Sequence, residues 1–329
     1  MASGAFGGQC AVGYGTVGYG TVGSVIPSLL RELEPVVETN LNRHLATAKE
    51  WFPHEYVPWS QGRDFDGPLG GRAWQSDQSV LSEAARTSLI VNLLTEDNLP
   101  SYHFEIAMMF GRDGAWGTWV HRWTAEEGRH GVAIRDYLLT TRAVDPIALE
   151  RARMSHMGGG FLSDHTGSAL DSIAYVSFQE LATRVAHRNT GRISGDPVCE
   201  RLLAKVAADE NLHMVFYRNL LSAAFELAPN ETMRALCQVV KGFQMPGHGI
   251  DNFVRKSVQI AMAGIYDLRI HHDEVVMPIV RHLGVATLEG LSGDGEAARD
   301  ELANFMSTLD KSATRFEERR QTIRAKTAG

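Results

Sequence analysis

Four glutamates and two histidines are the residues of this chain whose types and spacing could do chemistry together. Glu127-Gly-Arg-His130 and Glu210-Asn-Leu-His213 share the form Glu-x-x-His, and a single glutamate, Glu96 or Glu180, precedes each box by about one helical hairpin. On a helix, positions i and i+3 lie on one face a turn apart, so the Glu and His of a box reach the same point in space. One box alone says little, because a lone helical glutamate is usually solvated. Two boxes with two single glutamates supply four carboxylates and two imidazoles, the ligand set of a carboxylate-bridged metal pair inside a four-helix bundle. Carboxylates are hard donors that can bridge two cations, and neutral imidazoles complete a site suited to iron or manganese. Cysteine is absent from the set, which disfavours zinc–thiolate and iron–sulfur chemistry. Without metal, burying four carboxylates would raise their pKa values and destabilise the fold.

The spacing indicates the elements that must position these groups. Glu127 stands 31 positions after Glu96, and Glu210 stands 30 after Glu180. If each pair sits at equal height on an antiparallel hairpin, the turns fall at the midpoints, Gly111-Arg-Asp-Gly114 and Gly195-Asp196-Pro197. These are the strongest turn signals in their neighbourhoods. Arms of about 13 to 15 residues at 1.5 Å each sink the ligands about 20 Å below each turn. The 50 positions from His130 to Glu180 allow one helix to finish, the chain to cross the bundle and the next helix to start. That is the long crossover of a ferritin-like fold.

The predicted elements follow. A helix beginning near Pro27 carries the apolar stripe Leu29, Leu30, Leu33, Val36, Val37, Leu41 and Leu45, with Pro35 as a kink. Residues 51–74, rich in Pro, Gly and aromatics, read as an ordered loop. The first ligand helix spans Ser79 to about Phe110. Pro100 has no N–H for the Glu96 carbonyl, so this helix bends or opens beside a ligand. The second runs from about Ala115 to Thr141. Asp145-Pro146 opens the crossover, which contains a short helix and the Gly158-Gly-Gly160 break. The third runs from about Leu170 to Thr190, and the fourth starts at Asp196-Pro197, where Asp caps and Pro suits the first turn. Asn230, Pro246 and Gly284 mark later boundaries, with no comparable strand signal. Asp209, which precedes Glu210, reads either as an acceptor that fixes the tautomer of a ligand histidine or as a solvent-facing acid. Glu126 points about 100° away from Glu127 and reads as a supporting acid. Trp116, Trp119 and Trp123, at helical spacing, read as core packing, and His271-His272 as surface or capping histidines.

At 329 residues and 44% hydrophobic content the chain can bury a large core, and one all-α domain over residues 25–329 is the favoured organisation. A net charge of −7 argues against a general nucleic-acid binder. Cys10, Cys199 and Cys237 fit no Cys-x-x-Cys pattern, so a reduced, cytoplasmic protein is expected. No apolar run reaches the roughly 18 residues of a membrane span. Residues 1–24, with the near-repeat Val12-Gly-Tyr-Gly-Thr and Val17-Gly-Tyr-Gly-Thr, read as a disordered tail or a misassigned start.

Four blocks carry a family likeness: Thr95-Glu-Asp-Asn-Leu-Pro-Ser-Tyr102, Trp123-Thr-Ala-Glu-Glu-Gly-Arg-His130, Ser177-Phe-Gln-Glu-Leu-Ala-Thr183 and Ala208-Asp-Glu-Asn-Leu-His213. In order and spacing they resemble the soluble acyl-acyl carrier protein desaturases, particularly the actinobacterial, mycobacterial branch, over nearly everything from about residue 28 onward. The resemblance implies a ferritin-like di-iron four-helix bundle elaborated with additional helices. It implies two iron ions held by Glu96, Glu127, His130, Glu180, Glu210 and His213, with Glu127 and Glu210 bridging. Thr183 matches a hydroxyl linked to proton delivery at the oxygen-binding face, although it could bond its own helix backbone instead. Trp51 and Asp209 match an electron route toward His130. The chain departs from the plant-type pattern at Leu212, where an arginine commonly precedes the histidine, and this puts the hydrogen bonding around the second box in doubt.

The implied reaction is O2-dependent removal of two vicinal hydrogens from an acyl chain on acyl carrier protein, in fatty acid synthesis, with mycolic acid precursors as one setting the mycobacterial likeness suggests. A ferredoxin-like reductant and a homodimer come with it. A local basic surface including Arg184 or Arg188 could dock the acidic carrier, unless these are simply a solvated helix face. Rival readings are a ferritin-like ferroxidase and an iron-inactive carrier-binding paralogue. A ribonucleotide reductase radical subunit ranks low, because Ile134 stands where that family places its tyrosine.

Overall fold

Periodicity, caps and turn residues build the elements seen in the computed structural model, which describes residues 25–160, 168–247 and 249–328. Residues 1–24, with the glycine-rich near-repeat, lie outside the described residues. Helix α1 (Val25–Thr47) buries Leu29, Leu33, Val37 and Leu41. Pro35 lies on its exposed side and the helix continues through it. Leu45, expected in the stripe, is 47% exposed, and His44 is buried in its place at 4%. At 100° per residue, position 44 stays in phase with 37 and 41, whereas 45 turns toward solvent. The segment 51–74 is an ordered loop with two short 3₁₀ turns, Pro53–Glu55 and Trp59–Gln61. The Arg142 guanidinium fastens it, donating to the carbonyls of Arg63, Asp64, Arg72 and Ala73.

The first ligand helix is two helices, α2 (Glu83–Asp97), capped by Ser82, and α3 (Leu99–Phe110). They break at Asn98, because Pro100 cannot donate to the Glu96 carbonyl and the Asn98 N–H turns to it instead. Glu96 therefore sits in the last turn before a break. Gly111, at φ 89°, ends α3, and α4 (Gly114–Thr140) returns antiparallel. Asp145 accepts from the N–H groups of Ile147 and Ala148 to start α5 (Pro146–Gly158), which occupies the crossover. The second hairpin is α6 (Ala169–Ser194) and α7 (Pro197–Leu227), joined at Gly195 with φ 74°. A left-handed residue after a helix favours glycine, and Asp196 then caps α7 through the Val198 N–H. Both midpoint turns thus fall where the ligand spacing predicts.

The remaining helices brace this bundle. They are α8 (Pro229–Gly242), α9 (Phe253–Ala263), α10 (Leu268–Ile270) running through a π turn (His271–Val276) into α11 (Met277–His282), and α12 (Asp294–Ala328). The largest core cluster joins α1, α3, α4, α6, α7 and α8 around Trp119, Phe178 and Tyr217. Each such side chain contributes about 1.5–3 kcal/mol on burial. Arg269 ties α10 to α12 through Asp310 and Glu317. His271 departs from its expected surface role: it is partly buried, stacks on Phe243 at 5.0 Å and bonds the Tyr266 hydroxyl at 2.8 Å. Among the described residues, Phe65 and Arg72 form an isolated bridge, and no helix is long and apolar enough to cross a membrane.

Candidate metal centre and its cavity

The antiparallel hairpins bring all six predicted ligands to one buried level. Glu96, Glu127, His130 and Glu210 each offer a donor atom, mutually within 4.8 Å, and so do Glu127, Glu180, Glu210 and His213. Glu127 and Glu210 belong to both sets, the arrangement in which two carboxylates are shared by two cation positions. Both imidazoles turn Nδ1 inward. His130 Nδ1 lies 3.3 Å from Glu127 and 3.5 Å from Glu210, and His213 Nδ1 lies 2.8 Å from Glu127 and 3.4 Å from Glu180.

Buried polar atoms without partners test whether a metal fits. Glu127 Oε1, Glu180 Oε2, Glu210 Oε2 and the Nδ1 atoms of His130 and His213 are all buried without a hydrogen bond. Such atoms destabilise a core by about 1–3 kcal/mol each when left unpaired. Their convergence within one cluster is what a hard cation would satisfy, and the oxygen and imidazole donors suit iron or manganese. The electrostatics agree. Burial, then repulsion from Glu127 and Glu210, pushes the Glu96 and Glu180 carboxyls well above the usual range. Burial opposes protonation of His130 and His213, but Asp209 behind the first ring, Glu126 behind the second and the nearby Glu127 charge outweigh it and raise both. The metal-free cluster therefore holds protons where cations would otherwise sit.

Each inward-facing imidazole is held from behind by the acid that precedes the other box. Asp209 accepts from His130 Nε2 at 3.4 Å, and Glu126 accepts from His213 Nε2 at 2.9 Å. Asp209 also receives the Trp51 indole N–H at 2.7 Å, Arg129 at 2.8 Å and Lys205 at 2.9 Å. Glu126 receives His44 at 2.9 Å and Arg122 at 2.5 Å. These donors lower both carboxyls despite their burial. Thr183 stands one turn past Glu180, and its hydroxyl donates to the helix carbonyls of Glu180 and Gln179. Trp51, Asp209 and Thr183 are all at or near the centre, as their sequence positions suggest.

Three contacts lie beyond the sequence reading. Trp123, read as packing, donates its indole N–H to Glu180 Oε1 at 3.0 Å. His187 bonds Glu96 at 3.1 Å and lies 3.7 Å from Glu210. Its position seven residues past Glu180, two turns along the same face, is the signal that could have found it. His44 was visible only as the continuation of the buried Val37–Leu41 face. Trp116 and Trp119 do pack: Trp119 stacks on Phe216 at 3.5 Å, and Trp116 donates to the Leu30 carbonyl. Arg188 is engaged by Glu274.

An open-mouthed cavity runs between α2, α3, α4 and α6. Glu96, Glu127 and Thr183 stand in its wall, together with Leu99, Ile106 and Val176. Successive lining positions on α6, from Thr183 back to Ser172, carry it about two to three turns from the centre.

Fold and site together define a helical bundle able to hold metal ions beside a largely apolar cavity. The chain belongs to the fatty acid desaturase family, whose model matches residues 27–328. It is 53% identical over 300 residues to a Mycobacterium tuberculosis protein described as the acyl-acyl-carrier-protein desaturase DesA1, covering 89% of this chain and 88% of that one. It is 31% identical over 314 residues to a chloroplastic stearoyl-acyl-carrier-protein 9-desaturase 5 of Oryza sativa, covering 90% of this chain and 78% of the relative. The X-ray structure of DesA2 from M. tuberculosis, also described as an acyl-ACP desaturase, superposes with a TM-score of 0.67 at 31% identity, covering 80% of this chain and 97% of that one.

Proposed function

We propose that this protein is an O2-dependent acyl-acyl carrier protein desaturase whose metal pair is iron, which Glu96, Glu127, His130, Glu180, Glu210 and His213 would hold, Glu127 and Glu210 being common to both positions. The observation that carries the reading is the cavity wall, where Glu96, Glu127 and Thr183 stand among apolar side chains. A ferroxidase needs the carboxylates but has no use for an apolar cavity beside them. When bound, the iron pair supplies the O2-reducing power that removes hydrogen from an unactivated chain. The balanced reaction takes one –CH2–CH2– unit, O2, two electrons and two protons to –CH=CH– and two waters.

The chain's own residues bind, orient and exclude water. Leu99, Ile106 and Val176 give the acyl chain a dry wall that keeps one methylene pair near the carboxylates. Tyr102, Tyr175 and Gln179 add polar atoms along the same cavity. Thr183, in the wall one turn from Glu180, is assigned to proton delivery. Electrons from a ferredoxin-like donor are assigned the hydrogen-bonded line Trp51–Asp209–His130, supported by the 2.7 Å and 3.4 Å contacts along it. A homodimer, a cytoplasmic location and a single domain over residues 25–329 belong to the same reading.

The test is to express residues 25–329, quantify iron, and give the reduced protein O2 and a panel of acyl carrier proteins, reading products by mass spectrometry. Loss of two hydrogens from a carried acyl chain, abolished by Glu180→Ala, is the expected result. Two irons per chain with O2 consumption and no acyl product would favour a ferroxidase. Absence of metal uptake would favour an iron-inactive carrier-binding protein.

A further inference from the structure

The two histidines of the cluster are served unequally, and the difference falls on a residue from outside the four ligand-bearing helical segments. Asp209, behind His130, takes donors from Trp51, Arg129 and Lys205. Glu126, behind His213, takes only Arg122 on Oε1 and two imidazoles on Oε2, those of His213 and His44, each at 2.9 Å. A carboxylate oxygen accepts, so at 2.9 Å both rings present N–H to it. With Nε2–H committed to Glu126, Nδ1 is the ring nitrogen left to face Glu127 and Glu180. Leu212, beside His213 in sequence, offers no polar group here and lines a small cavity with His44, Arg43 and Phe216.

His44 is itself held in place. It is 4% exposed, edge-on to Trp119 at a centroid separation of 5.1 Å and 85°, and stacked on His213 at 5.8 Å and 26°. Its Nδ1 is buried without a partner, so one ring edge carries its polar function and that edge points at Glu126. Trp51 and His44 are thus counterparts: each is a buried ring from the N-terminal segment that donates N–H to an acid behind an inward-facing imidazole. Arg122 is 40% exposed and reaches only the other oxygen. Solvent screening weakens its hold, leaving His44 as the buried determinant of where Oε2 sits.

We propose that His44 is a positioning residue for the half of the centre served by His213: its Nε2–H holds Glu126, and Glu126 holds the His213 ring with Nδ1 turned to Glu127 and Glu180. This rests on the reading that the cluster binds two metal ions. Partners that orient a ligand imidazole typically change metal affinity 10–100-fold when removed. Replacing the ring by one without N–H should therefore weaken one of the two metal equivalents about tenfold or more. His44→Gln retains an N–H donor and should restore most of the affinity.

The experiment titrates the metal-free full chain anaerobically with Fe(II) and, separately, with Co(II), whose visible absorption reports ligand geometry, in wild type, His44→Phe and His44→Gln. Thermal unfolding of each metal-free variant is measured alongside. The expected result is two equivalents for wild type and His44→Gln, and for His44→Phe one weakened equivalent with an altered Co(II) spectrum. His44→Leu gives the same comparison if the larger ring disrupts packing. A merely structural role would lower the unfolding temperature with and without metal while leaving both affinities and the spectrum unchanged, and that outcome overturns the proposal. Failure of wild type to take up either metal would instead overturn the metal-centre reading beneath it.

Discussion

Trp123→Phe isolates one interaction that discriminates between the metal-free and metal-loaded states. The indole N–H donates to Glu180 Oε1 at 3.0 Å, and the Glu180 side chain is completely buried. In the metal-free protein, burial and repulsion from Glu127 and Glu210 push the Glu180 carboxyl well above its ordinary range, which favours its neutral form and an ordinary bond. Once a cation restores the charge, the same bond becomes charge-assisted, and such bonds contribute about 1.5–3 kcal/mol. Phenylalanine keeps the six-membered ring in the cavity wall but has no N–H. The predicted loss is thus larger in the loaded state: an ordinary bond contributes about 0.5–1.5 kcal/mol, and the difference of about 1–1.5 kcal/mol lowers Fe(II) affinity roughly 5- to 10-fold, at about 1.4 kcal/mol per decade, while metal-free unfolding shifts less. Anaerobic Fe(II) titration against a chelator measures the first quantity and calorimetry the second. Unchanged affinity in a folded variant, or equal destabilisation with and without metal, would refute the reasoning.

Two other expectations follow from the same geometry. Val176→Phe adds four side-chain carbons to the cavity wall one turn from Glu180, displacing roughly four methylenes of guest at about 0.8 kcal/mol each. The kcat/KM for the longest accepted acyl chain should fall about 100-fold relative to one four carbons shorter; a uniform fall across lengths would place the acyl chain elsewhere. Metal-free stability should decline as pH rises from 6 to 9, because His130 and His213 are raised above 6.5 by neighbouring carboxylates despite burial. A raised folded value gives stability that is full below the unfolded value and lost as pH climbs through the folded one. Glu96 and Glu180, raised by burial, add the same sign from about pH 4.3 upward. Melting curves across this range, with and without Fe(II), check the slope, which should flatten when metal is bound.

Much of the site was legible in the chain itself, for a definite reason. Helical hairpins convert sequence spacing into height, so turns at Gly111 and Gly195 place Glu96, Glu127, Glu180 and Glu210 at one level. The i, i+3 spacing then puts His130 and His213 beside the glutamates of their own boxes. The cap at Asp196 and the missing N–H of Pro100 act locally, and so were readable as well. What acts across helices was not. Glu126 and Asp209 each precede a ligand glutamate; the family likeness pointed Asp209 toward His130, but spacing alone did not say which histidine either would hold, because that depends on the crossing of α4 with α7, and each holds the histidine of the opposite box. Trp123 carried an unmistakable packing signature, and only the approach of α6 turned its N–H into a bond to Glu180. His44 and His187 had no box to mark them. Their roles arise because α1 and α6 present them to carboxylates 82 and 91 residues distant in the chain. Local periodicity determined the ligands, and tertiary packing decided what holds those ligands and what cavity they face, since hydrogen bonds between helices depend on angle and approach that spacing along one chain does not encode.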